Sequence, residues 1–102
     1  MYYNNIEYEF NGHIDAKQYV ALMSRTAEHG IDLTQALDLI KQRLKHSNLI
    51  VSAWYEGDLV GISRSITDFH DVCYQLELIV ASGFRHSALG QTIKALTKSR
   101  LK

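Results

Sequence analysis

Residues 74–90 read YQLELIVASGFRHSALG. With Val72 and Cys73 in front, the run VCYQLELIV is long and apolar enough to form a well-buried strand, and Ala81-Ser82-Gly83 ends it. Beyond the break, Leu89, Ile93, Leu96 and Leu101 recur at helical spacing, and lysines and arginines gather toward the C-terminal end, where the helix dipole favours cations. Ser87 stands where an N-cap would satisfy the first free N–H groups of that helix. A strand, a short loop and a helix therefore follow in direct succession.

Upstream, Leu49–Tyr55 (LIVSAWY) is rich in β-branched and aromatic residues, Glu56-Gly57-Asp58 reads as a tight reversal, and Leu59–Ile66 (LVGISRSI) returns as a second strand. The polar run Thr67-Asp68-Phe69-His70-Asp71 turns the chain again. Nearer the N-terminus, Ile6, Tyr8 and Phe10 alternate with Glu7 and Glu9, the period-two pattern of a half-buried strand, and Asn11-Gly12 follows as a turn. Asp15 is placed to cap a first helix, in which Tyr19, Leu22, Met23 and Ala27 form the apolar face before His29-Gly30 closes it. Asp32 or Thr34 can cap a second helix, with Leu37, Ile40 and Leu44 on one side and Lys41, Arg43 and Lys45 on the other.

The 102 residues suit one domain spanning 1–102, since two cores would leave each too small to fold alone. Apolar residues make up 46% and charged residues 22%, close to ordinary globular usage. Eleven basic and eleven acidic residues cancel, so no global field draws the chain to nucleic acid, to a membrane surface or to an acidic partner. The N-terminus lacks the basic start and apolar run of a signal peptide, and no window reaches the length of a membrane span. The single cysteine, Cys73, excludes an internal disulfide, fits a reducing compartment such as the cytoplasm, and reads as a core residue. No cysteine pair stands at metal-ligand spacing, and no metal is expected.

Three stretches taken together resemble the GNAT superfamily of N-acetyltransferases. The hairpin AWYEGDLVGISRSITD is similar to the family's apolar strand, acidic-glycine turn, leucine-valine-glycine, arginine and aspartate pattern, here Ala53, Gly57, Leu59, Val60, Gly61, Arg64 and Asp68. Leu78-Ile79-Val80 followed by Phe84–Gly90 aligns without gaps on the family's strand and its Arg/Gln-x-x-Gly-x-Gly/Ala loop. Arg85 and Gly90 match, while Ala88 takes the place of the first glycine and Arg85-His86 that of an arginine-glycine pair.

The resemblance implies an α/β fold of chain order β-α-α-β-β-β-α with a mixed, mostly antiparallel sheet, truncated after the third helix because the family's later strands have no counterpart before Lys102. It implies acetyl-CoA as cosubstrate and an amine of unknown identity as acceptor. The cofactor is expected at Leu78, Ile79 and Val80, which would pair with the pantetheine arm as an added strand, and at Arg85, His86, Ser87, Ala88, Leu89, Gly90 and Gln91 around the pyrophosphate. Physics favours such a loop, because free N–H groups and the positive end of the dipole meet at a helix N-terminus. The alternative is a non-catalytic module of the same fold that binds CoA or a protein partner.

For proton transfer the sequence offers Glu77, Tyr74 and His70. Each has a plainer reading: Glu77 as a solvent-facing neighbour of Gln75 and Cys73, Tyr74 as strand packing, and His70 as a turn residue. An edge strand as apolar as 72–80 would leave backbone groups unpaired, which predicts a homodimer or larger homo-oligomer.

Overall fold

The structure is a computed structural model that describes residues 5–25, 33–85 and 87–102. The described residues form β1 (Ile6–Phe10), α1 (Ala16–Ser24), α2 (Leu33–Lys45), β2 (Leu49–Tyr55), β3 (Asp58–Thr67), β4 (Cys73–Val80), a 3-10 turn (Ser82–Phe84) and α3 (Leu89–Ser99). This is the order predicted from the sequence. The His29-Gly30 stop, Ala27, the Asp32 or Thr34 cap and His86 lie outside the residues and side chains described.

The four strands form one sheet in the order β1-β2-β3-β4, and all three pairings are antiparallel. Ile6, Tyr8 and Phe10 are half-buried between exposed Glu7 and Glu9, as period-two alternation requires. The Glu56-Gly57 reversal places Glu56 at φ 50° and Gly57 at φ 84°, the doubly left-handed backbone that closes a two-residue hairpin. α1 starts with a capping box: Asp15 accepts from the first-turn backbone, and the Gln18 side chain accepts from the Asp15 N–H. Its apolar face, Tyr19, Leu22 and Met23, is buried.

The helices cover opposite faces of the sheet. A Cβ on Gly61 would lie 2.8 Å from Ile93 and 3.3 Å from Leu89, so α3 packs directly on the bare backbone of β3. Arg64, an odd number of residues along the same strand, points to the other face, where α1 and α2 lie. The core runs between these layers through Leu22, Ile40, Val51, Leu59, Ile62 and Ile93.

Strand β4 departs from the well-buried strand its composition predicts. It is the sheet edge, Ile79 is its one buried residue, and Tyr74 is 70% exposed. Among its first four residues Tyr74, Gln75 and Leu76 are exposed and Cys73 is partly buried, although Cys73 and Gln75 share a cleft with Lys94, Thr97 and Lys98 of α3. A bulge adds to this: Arg64 pairs with Glu77 and Ser65 with Gln75, leaving Leu76 unpaired and 45% exposed.

Candidate functional site

The connection from β4 to α3 is pinned from three directions. The Ala81 N–H donates to Val60 O at 2.9 Å, where β3 bulges opposite β2. Ser82 donates through both its N–H and its hydroxyl to the carbonyl of Arg25, the C-cap of α1. Phe84 meets Tyr55 edge to face at 5.6 Å between ring centroids. Here an orphan carbonyl at the end of one helix fixes the loop that leads into another.

α3 begins one residue later than a Ser87 cap would place it. Ala88 is the N-cap and offers no side-chain bond. Ser87 nonetheless accepts from the Leu89 N–H at 3.3 Å while donating to Phe84 O at 2.6 Å, so its hydroxyl steadies the turn just outside the helix. Thr92 is the first residue of α3 whose N–H bonds back to the cap, at 2.9 Å to Ala88 O. The N–H groups of Gly90 and Gln91 are in the first turn, where helical geometry leaves donors unspent. A Cβ on Gly90 would meet Val80 at an ordinary 3.7 Å, so packing inside the protein does not by itself demand glycine there.

The expected cofactor residues fall into two adjoining groups. Leu78, Ile79 and Val80 form the last half of the edge strand, whose outer side has no partner strand among the described residues. Arg85, Ser87, Ala88, Leu89, Gly90 and Gln91 form the loop and first turn beside it, with Arg85, Ala88 and Gln91 exposed. An unpaired strand edge and a helix N-terminus thus converge at one corner of the molecule.

The three proton-transfer candidates are dispersed. Tyr74 is exposed on the first half of β4. His70 sits in the β3–β4 turn, where its N–H donates to Asp68 and its Nδ1 lies 2.5 Å from Lys102 O, past the end of α3. An 11-residue helix is roughly 16 Å long, so His70 stands at the far end of α3 from the cofactor corner.

Glu77 does not face solvent beside Gln75 and Cys73. The bulge at Leu76 turns it to the opposite face from Gln75, where its side chain is 18% exposed. Its Oε1 takes the Nε–H of Arg64 at 2.5 Å and the hydroxyl of Tyr19; its Oε2 has no partner among the described residues. Arg64, itself buried, also donates through Nη1 to Arg43 O at 3.0 Å and to Ser47 Oγ at 2.9 Å at the C-terminal end of α2. Burial, then the hydrogen bond to Glu77, pushes the Tyr19 hydroxyl pKa well above its usual 10.0. The alternation of β4 hid this network, because a bulge has no signature in the residue pattern.

Antiparallel strands flanked by two helices on one face and one on the other, with an edge strand running through a pinned turn into a helix N-terminus, are the GNAT acetyltransferase fold. The structural match extends to an acetyltransferase of the GNAT family from Streptococcus pneumoniae, with a TM-score of 0.72 at 17% identity over 93% of this chain and 67% of that one. The ribosomal-protein-S18-alanine N-acetyltransferase of Escherichia coli matches at 0.70 and 8%, over 93% of this chain and 59% of that one. AAC(6')-Iy, solved with the bisubstrate analogue CoA-S-monomethyl-acetylneamine, matches at 0.64 and 12%, over 93% and 70%. This chain therefore spans between 59% and 70% of the length of these three structures. No protein-family model and no curated protein sequence matches it. No helix among the described residues is long and apolar enough to cross a membrane.

Proposed function

We propose that this chain is an acyl-CoA-dependent N-acetyltransferase domain that transfers the acetyl group of acetyl-CoA to an amine. The observation that carries the reading is the corner where β4 meets α3. Leu78–Val80 offers an unpaired strand edge to an extended pantetheine arm, and the N–H groups of the first turn of α3 offer positive dipole to a pyrophosphate. The complex of AAC(6')-Iy with a CoA-linked analogue shows that a protein of this fold accommodates CoA.

In the reaction the acceptor nitrogen, free of its proton, attacks the thioester carbonyl; the new C–N bond forms, the C–S bond breaks, and the thiolate takes up a proton. Among the three candidates, the geometry favours Glu77 as the group that meets the acceptor amine. It immediately precedes Leu78, and its Oε2 is unspent while Arg64 and Tyr19 hold Oε1.

Calorimetric titration with acetyl-CoA tests the reading, repeated with Gln91→Glu. Gln91 is exposed in the first turn of α3, so a glutamate there supports the helix while repelling a pyrophosphate. Saturable binding that weakens by about tenfold in the variant, consistent with loss of one charged contact, is the expected outcome. No heat at millimolar acetyl-CoA would refute it. Thiol release with a panel of amines then separates a catalyst from a CoA-binding module.

A further inference from the structure

A second cavity lies at the other end of the molecule. Phe10 and Asn11 at the end of β1, Leu49 at the start of β2, Phe69 in the β3–β4 turn, and Arg100 and Lys102 after α3 line a cavity of about 530 Å³. With Ser99, the lining comprises two aromatic rings, an aliphatic residue, two small polar residues and two cationic side chains, and no Asp or Glu side chain.

Two features show that this cavity is shaped in advance. Arg100 lies flat over the Phe10 ring, 3.6 Å from its centroid. A stacked guanidinium keeps its in-plane N–H groups available, and no hydrogen bond or ion pair to the described residues spends them. Phe69, a bulky residue, is held at φ 61°, where an aromatic side chain is strained by roughly 1–3 kcal/mol. The surrounding turn enforces that conformation. The Phe69 N–H donates to Thr67 Oγ1 at 2.9 Å, Asp68 Oδ1 accepts from the His70 and Val72 N–H groups, and Phe69 O accepts from the Lys102 N–H. The Asp68 carboxylate, next to Phe69 along the chain, is therefore occupied by its own turn.

We propose that this cavity binds a small molecule with a flat aromatic body and an anionic head, the ring resting between Phe10 and Phe69 over the buried Leu49 and the carboxylate or phosphate meeting the free edge of Arg100 with Lys102 behind it. Rings supply apolar area and a planar cation supplies paired donors, so the two halves of such a ligand are recognised by different sides of one cavity. The site is separated from the β4–α3 corner by the length of α3, so its occupancy does not depend on the acetyl-CoA reading.

The test uses the full chain labelled with 15N and titrated with phenyl phosphate, benzoate, inorganic phosphate and benzyl alcohol, following amide shifts. Phenyl phosphate or benzoate is expected to shift Asn11, Phe69, Arg100 and Lys102 saturably. Inorganic phosphate and benzyl alcohol, each carrying half of the chemistry, should bind at least about tenfold more weakly. Arg100→Gln should weaken the aromatic anions by a similar factor with its thermal midpoint kept, because Arg100 is exposed. Lys102→Gln provides a second variant that leaves the Phe10 stack untouched. Absence of saturation at ten-millimolar order, shifts scattered over the surface, equal affinity for inorganic phosphate, or indifference to both variants would each overturn the proposal.

Discussion

Arg64 and Glu77 face each other across the β3–β4 ladder with Nε and Oε1 2.5 Å apart, and Tyr19 from α1 donates to the same carboxylate oxygen. The ion pair joins the edge strand to the helical layer, since Arg64 also holds the C-terminal carbonyl of Arg43 on α2. With side-chain exposures of 8% and 18%, neither charge is well compensated by water. Glu77→Leu should therefore destabilise the fold by about 3 kcal/mol, chiefly because Arg64 is left buried and unpaired. The double variant Arg64→Met/Glu77→Leu should be more stable than Glu77→Leu alone in urea unfolding. Equal or lower stability of the double variant would show that the pair is not coupled in this way.

Tyr19→Phe removes a hydrogen bond to a charged acceptor and should cost about 1.5–3 kcal/mol at neutral pH. The Tyr19 pKa is raised in the fold, so its contribution is fully present below the ordinary value of 10.0 and declines as pH climbs above it. Unfolding free energies of the two proteins should thus converge as pH is taken above that value. A gap that stays constant through the alkaline range would contradict the assignment.

Asp68 shows the opposite sign. Backbone N–H groups of His70 and Val72 lower its pKa below the usual 3.8, so its stabilising effect is present above that value and fades as pH falls through the lowered one. Asp68→Asn keeps an acceptor oxygen in the turn but cannot titrate. Acid unfolding of this variant should begin from a less stable protein at neutral pH and depend less on pH below 4, on the order of the ordinary aspartate value.

Two glycines make a matched comparison. A methyl on Gly61 would press on Ile93 at 2.8 Å and on Leu89 at 3.3 Å, so Gly61→Ala should destabilise by about 1–3 kcal/mol through overpacking. Ile93→Val removes the nearest clashing atom, and the double variant should lose less than the sum of the two single changes. Gly90→Ala meets only Val80 at 3.7 Å and should instead stabilise by roughly 0.5–1 kcal/mol, as alanine does in a helix. Thermal unfolding of the variants measures all three effects.

The first half of β4 carries a prediction about assembly. Tyr74, Leu76, Val72 and Ile66 are exposed together on and beside an edge strand, the arrangement that favours pairing with a second copy. Light scattering at micromolar-order concentrations should report a dimer that Leu76→Lys returns to a monomer. A monomeric mass throughout would exclude the homodimer.

Much of this fold is written in local pattern. Alternation at Ile6–Phe10, the Asp15 cap, the Glu56-Gly57 reversal and the apolar stripe of α3 each depend on neighbours a few residues away, so reading along the chain is enough to place them. The segment 74–90 gave strand, break and helix for the same reason, together with the positive helix end at which an anion can sit. Tertiary structure alone decided where those elements stand. Edge position stripped β4 of the burial its composition suggests, because a strand is covered only where a helix crosses it. The bulge at Leu76 decided which way Glu77 points, since one unpaired residue reverses the faces of all that follow. Arg64 and Tyr19 then met that carboxylate from 13 and 58 residues away along the chain. Contacts of that separation arise only when three elements pack, and residue spacing cannot encode them.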